Sequence, residues 1–234
     1  MGKMREMEQP IDRSRGNHSL FRTGSSYGNV VLNFQDAASS EFGVYARAFH
    51  TAGQALFERM FAKSSYNSLE GCPIIFLYRH ALELYLKAIV LHGEAILRMN
   101  GKTLLTNRSL LQKHSLLPFL PLLKQTFEAV SWTWELDIEG LHTFEEVEEL
   151  LRDFERVDLG SYTFRYPIDK QGNPSVPHHF VVHMPTFCKR MDALLEALEA
   201  ALMGLEIAEE RMLEAAYVAQ EGAEQERSKD RVEK

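Results

Sequence analysis

Residues 72–99 read CPIIFLYRHALELYLKAIVLHGEAILRM, and this run decides the fold. Ile75, Leu82, Ile89 and Ile96 form one apolar row, with Tyr78, Tyr85 and His92 in a second row beside it. Two adjacent rows at helical spacing predict a long helix with a wide buried face. Pro73 suits a first turn, where the missing N–H has no helical partner to lose, and Asn100-Gly101 suit a C-terminal stop. Arg79, His80, Glu83 and Lys87 fall on one strip at three- and four-residue steps. Arg79–Glu83 and Glu83–Lys87 are both i,i+4 pairs. On an exposed strip they would be an ordinary salt-bridged face. The flanking apolar rows predict partial burial instead, and a buried Glu83 needs a cation, which Arg79, Lys87 or Arg165 can supply. The strip therefore reads as a structural polar network or as part of a ligand site.

Working outward, residues 40–63 place Phe42, Tyr45, Phe49, Ala52, Leu56 and Met60 on a second helical stripe. Asn67, Ser68 and Gly71 mark the break between these helices. A shorter helix is predicted over 115–130, regular only from Pro121 onward. Another is predicted over 143–157, where Thr143 and Glu146 make a capping-box pattern. In residues 160–183 the period changes. Tyr162, Phe164 and Tyr166 alternate, 169–174 is a turn cluster, and Phe180–Val182 can return, which predicts a small β-hairpin. Residues 186–220 resume helix. Phe187, Met191, Leu194, Leu198, Ala201, Leu205, Ala208, Met212, Ala215 and Ala219 alternate four and three, a heptad seam. Its first half is expected to pack in the domain and its second half on another helix, in this chain or a partner. The expected fold is all-α: an up-down bundle over 39–205, a hairpin insertion, a long C-terminal helix, a mobile arm over 1–38, and a helix extension with a charged tail over 206–234.

The chain has 234 residues, 45% hydrophobic and 25% charged, with a net charge of −7. Such a composition excludes a wholly disordered chain, and the acidic balance argues against general nucleic-acid coating while leaving room for a local basic cleft. The arm carries Lys3, Arg5, Arg13, Arg15 and Arg22 against Glu6, Glu8 and Asp12, a mild basic excess. Two cysteines, Cys72 and Cys188, cannot build a disulfide framework. No run approaches the roughly 20 apolar residues a membrane helix needs, and no secretory leader is legible, so a cytoplasmic chain is expected. His178, His179, His183 and Cys188 cluster in sequence, but their spacing matches no zinc pattern, and no metal is expected. No cofactor is expected either: there is no Walker loop, dinucleotide glycine fingerprint or nucleophile elbow. Trp132 and Trp134 read as core or interface packing.

The segment Tyr78-Arg79-His80-Ala81-Leu82-Glu83-Leu84-Tyr85-Leu86-Lys87-Ala88 and the segment Lys113-His114-Ser115-Leu116-Leu117, followed by Phe119-Leu120 and Leu122-Leu123, resemble the HEPN domains. Phe164-Arg165-Tyr166-Pro167 before a closing long helix is similar to an arrangement in some HEPN-like families. The resemblance covers roughly residues 40–205. It implies an up-down helical bundle, often dimeric, of a kind common in bacterial toxin–antitoxin and phage-defence systems. Many such proteins are metal-independent endoribonucleases; others are inert partners or nucleotide-binding subunits. Active members carry an Arg, four to six residues, then a His. Arg108 and His114 match that pattern, as do Arg13 and His18 in the arm. The match departs from the family at Ser109, where active members commonly have Asn, Asp or His. It departs again at Leu116, where toxins silenced by adenylylation have Tyr.

Three functions follow as expectations. A ribonuclease would use His114 as base and Arg108 at the phosphate. An inert module would dimerise or dock a partner protein through 186–220. A nucleotide-binding subunit would use Arg79, His80, Glu83, Lys87 and Arg165. RNA is a possible partner only in the first reading, and a membrane in none.

Overall fold

The computed structural model describes residues 38–65, 67–102, 108–176 and 179–232. The expected N-terminal arm, with Arg13 and His18, lies outside them, as does His178. The protein is all-α: α1 is Ala38–Phe61, α2 Gly71–Met99, α3 Leu120–Ala129, α4 Phe144–Val157 and α5 Met184–Val232. Short 3-10 turns at Ser68–Glu70, Arg108–Gln112 and Leu117–Phe119 join them. No helix among the described residues is long and apolar enough to cross a membrane.

Helix α2 is the axis, with α1, α3 and α5 packed around it. Residues 81–90 are buried without interruption, so the two apolar rows are not one face of a surface helix but the middle of the bundle. Asn67 Oδ1 accepts from Leu69 N at 2.9 Å to start the turn into α2. At the far end Gly101 takes φ +68°, and Lys102 N donates to Leu97 O at 2.8 Å, which closes the last helical carbonyls. Gly93 marks the tightest approach to α3. A Cβ there would lie 2.1 Å from Thr126 Oγ1.

The α1 stripe is rotated from its sequence reading. Of the expected stripe Met60 is buried and Phe42 and Phe49 are half-buried, but Tyr45, Ala52 and Leu56 are exposed, while Ala46, His50 and Gly53 are buried instead. The face is selected by small residues, because a Cβ at Gly43 would stand 2.5 Å from Leu202 Cδ2. Close backbone approach outweighs the burial of the larger side chains there.

Helix α4 begins as its capping box requires. Glu146 N donates to Thr143 Oγ1 at 3.3 Å, and Thr143 N donates to Glu146 Oε2 at 3.2 Å. Trp132 and Trp134 are half-buried against Phe127, and the Trp134 indole donates to Leu141 O at 2.9 Å. In α5, Met191, Leu194, Leu198 and Leu205 are buried, and from Leu213 to Gln220 every residue is exposed. At about 1.5 Å per residue, its 49 residues span roughly 70 Å.

No strand forms among the described residues, so the expected hairpin does not appear. An isolated antiparallel bridge, Ile168 to Pro174, closes the turn over 169–173, and nothing extends it. The Tyr162/Phe164/Tyr166 alternation does place Phe164 inside and the tyrosines outside. It does so through a compact turn, in which Arg165 N and Tyr166 N both donate to Tyr162 O. Ser161 at φ +58° and Pro167, which lacks an N–H, disfavour a ladder on either side of it.

Candidate functional site

The strip on α2 becomes a four-charge network in the core. Arg79, Glu83, Lys87 and Asp158 are 0%, 1%, 4% and 1% exposed. Lys87 Nζ donates to Glu83 Oε1 at 2.7 Å, and Arg79 Nη1 to Glu83 Oε2 at 3.2 Å. Arg79 Nε lies 3.3 Å from Asp158 Oδ2. Two cations face two carboxylates, so the formal charges cancel, as buried charges must. Burial opposes ionisation of Glu83. Lys87 outweighs it with help from His114, and the carboxyl ends below its usual range.

Arg79 also holds main chain. Its Nη2 donates to His114 O at 2.7 Å and to Asp158 O at 3.1 Å. One guanidinium therefore fixes the segment before α3 to the end of α4. Glu155 does the same from α4, accepting from Ser115 Oγ at 3.1 Å and from Leu116 N. Asp158 then turns the chain, its Oδ1 accepting from Tyr162 N at 2.7 Å and Thr163 N at 3.0 Å. Asp158 is missing from the sequence reading. The available signal was an acidic residue closing a capped helix just before Gly160-Ser161.

His114 sits on this network. Its Nδ1 is 3.1 Å from Glu83 Oε1, and its side chain is 48% exposed. A carboxylate partner assigns the proton to Nδ1 and leaves the lone pair on Nε2. That is an oriented, accessible imidazole of the kind general base catalysis uses. Arg108 opens the 3-10 turn Arg108–Gln112 just ahead of His114, and its side chain lies outside the described residues.

His80 and Arg165 meet on the Phe76 ring beside this network and make aromatic contacts. His80 is packed edge-on to Phe49, ring centroids 4.4 Å apart, and stacked on Phe76 at 5.6 Å. Burial, abetted by Lys87, Arg165 and Arg79 against Glu83, holds it below its usual pKa. The Arg165 guanidinium stands over Tyr162 at 4.9 Å, Phe76 at 5.3 Å and Tyr166 at 5.8 Å. His179 is exposed, and His183 Nδ1 meets Thr186 Oγ1 at 2.7 Å. Cys188 lies elsewhere, beside Tyr78 and Asp192, and burial pushes its thiol up to about 12. Among the described residues no three His, Cys, Asp or Glu side chains gather as metal ligands.

A second polar cluster ties three helices. Asp192 on α5 accepts from Tyr78 Oη at 2.8 Å and Gln54 Nε2 at 3.0 Å, and its Oδ1 lies 2.7 Å from His50 Nε2. Burial works against the Asp192 charge, but His50, Tyr78 and Gln54 together hold its carboxyl below the usual range. Comparison with family models, curated proteins and solved structures found no match.

Proposed function

We propose that the chain is an HEPN-like endoribonuclease that needs no metal, with His114 as its base. Nε2 takes the proton of an RNA 2′-hydroxyl. That oxygen attacks the adjacent phosphorus, a 2′,3′-cyclic phosphate forms, and the departing 5′-oxygen takes up a proton. Arg108, six residues before His114, and the neighbouring Lys113 supply cations for the phosphate oxygens. The observation that carries this reading is the half-exposed His114 ring, oriented through Nδ1 by buried Glu83. The HEPN resemblance adds a dimer and a role in toxin–antitoxin or phage-defence systems, and the sequence expectation adds a cytoplasmic setting.

The test is cleavage of single-stranded RNA by the purified chain in excess chelator, beside His114→Ala. Cleavage that disappears in the variant, with unchanged circular dichroism, supports the reading. No cleavage by either protein overturns it.

The exposed end of α5 favours a second reading, an inert helical module that dimerises or docks a partner there. Ile207, Leu213, Tyr217 and Val218 are 48%, 55%, 64% and 62% exposed on one long helix. Sedimentation of the full chain beside a chain ending at Met212 tests it. A dimer that becomes monomeric on truncation favours this reading, and two monomers exclude self-association through that segment.

A further inference from the structure

A cation sits among three aromatic rings on the turn between α4 and α5. Tyr162 and Tyr166 are 43% and 53% exposed, their centroids 6.2 Å apart with planes at 30°. Arg165 lies within 6 Å of both and of Phe76. Lys170 Nζ stands 5.0 Å above Tyr162. Two carboxylates belong to the described part of this connection: Asp158 holds the start of the turn, and Asp169 is engaged locally, accepting from Gln171 N and Asn173 N at 2.8 Å each and from Asn173 Nδ2 at 3.1 Å. Two cations and two half-exposed rings thus concentrate on a chain whose net charge is −7.

The turn is built before any ligand arrives. Asp158 Oδ1 holds Tyr162 N and Thr163 N, and Arg165 Nε donates to Ser161 O. It is also joined to His114. The Arg79 nitrogen that donates to His114 O donates to Asp158 O as well, so the start of the turn and the backbone of the proposed base are neighbours.

From this juxtaposition we infer that Tyr162, Arg165, Tyr166 and Lys170 form a stacking platform for unpaired RNA bases beside His114. Exposed aromatic faces take bases of any sequence, and cations interleaved with them follow the backbone phosphates. A duplex hides its base faces, so the platform selects single strands. The assignment rests on the ribonuclease reading for its biological sense, but it concerns binding and can be tested without cleavage.

The probe is a fluorescent 2′-O-methyl RNA 12-mer, which lacks the attacking hydroxyl, titrated with the full chain by anisotropy. The same strand in a 2′-O-methyl duplex is the comparison. Wild type is expected to bind the single strand well ahead of the duplex. Loss of one ring lowers stacked-base affinity roughly 5- to 150-fold, so Tyr162→Ala with Tyr166→Ala should weaken binding at least about tenfold. The Tyr→Phe pair, which keeps both π-faces, should bind as wild type. A Tyr→Leu pair keeps apolar cover over Arg165 without π-faces, and it decides the matter if the alanine pair unfolds. Single-strand binding unchanged by both the alanine and leucine pairs overturns the platform. So does a wild type that binds no RNA. Ring-dependent binding without cleavage of ordinary RNA would keep the platform and remove the ribonuclease. Cleavage that is indifferent to the rings would do the reverse.

Discussion

His114 places Nδ1 3.1 Å from Glu83 Oε1, a half-exposed imidazole resting on a carboxylate that is itself 1% exposed. Glu83 therefore serves two masters: it neutralises Lys87 and Arg79 in the core, and it orients the ring at the surface. Glu83→Gln separates these roles poorly, because it leaves two buried cations with one carboxylate. Removing one partner of a buried ion pair costs about 3–5 kcal/mol. The expected outcome is a fall of that size in urea-unfolding free energy at pH 7, against wild type with the same m-value.

Acid should expose the same network. The Glu83 and Asp192 carboxyls both lie below their usual range in the folded chain. A group with a depressed folded pKa adds stability above its unfolded pKa and loses it as pH falls through the folded value. His80, held below its usual pKa by burial, adds a loss that begins below the unfolded histidine value near 6.5. With unfolded values near 4.3 for Glu and 3.9 for Asp, the urea midpoint should therefore decline gently from about pH 6.5 and fall more steeply below about pH 5. Midpoints measured at half-unit steps down to pH 3 check this. Glu83→Gln should show a shallower fall over that window.

The Asp192 cluster predicts a graded pair of variants. Asp192→Ala leaves the Tyr78 hydroxyl and the His50 ring without their acceptor, both inside a 5% or less exposed environment. Each orphaned polar group costs about 1–3 kcal/mol, so thermal or urea unfolding should show about 2–6 kcal/mol lost for the two. Asp192→Asn keeps an acceptor oxygen, and about half that loss is expected. An alanine variant as stable as wild type would mean that α1, α2 and α5 are not held by this carboxylate.

Two glycines in helices should respond with opposite signs. At Gly93 an added methyl meets Thr126 Oγ1, Cγ2 and Cβ at 2.1, 2.5 and 2.8 Å. Gly93→Ala should therefore destabilise by about 1–3 kcal/mol, the usual cost of overpacking. At Gly222 nothing lies within 4 Å. Gly222→Ala should raise helicity by circular dichroism, by up to about 1 kcal/mol of helix preference, without moving the main unfolding transition.

What the chain reveals unaided follows from range. The α2 rows, the Thr143/Glu146 capping box, the Asn100-Gly101 stop and the buried first half of the α5 seam are local patterns, and each reads correctly from residues a few positions apart. The α1 face does not, because Gly43 and Gly53 define it by their smallness against α5 and α2. Nor does the partner of Arg79. Asp158 is 79 residues away, and Arg165, which was an equally plausible partner for Glu83 on charge alone, goes to aromatic rings instead. Asp192 meets His50 across 142 residues, a distance over which periodicity carries no information.

Helix α5 is anchored over about its first eight turns, as far as half-buried Met212, and projects for the remainder. A rod held at one end is a lever. At about 1.5 Å per residue, the twenty residues beyond Met212 reach roughly 30 Å past the last half-buried position. A tilt of about 10° at the anchored turns would sweep the tip through roughly 5 Å. Small adjustments around Met191 and Leu198, next to the Asp192 cluster, are thereby magnified at the far end, where a bound molecule would register them as displacement.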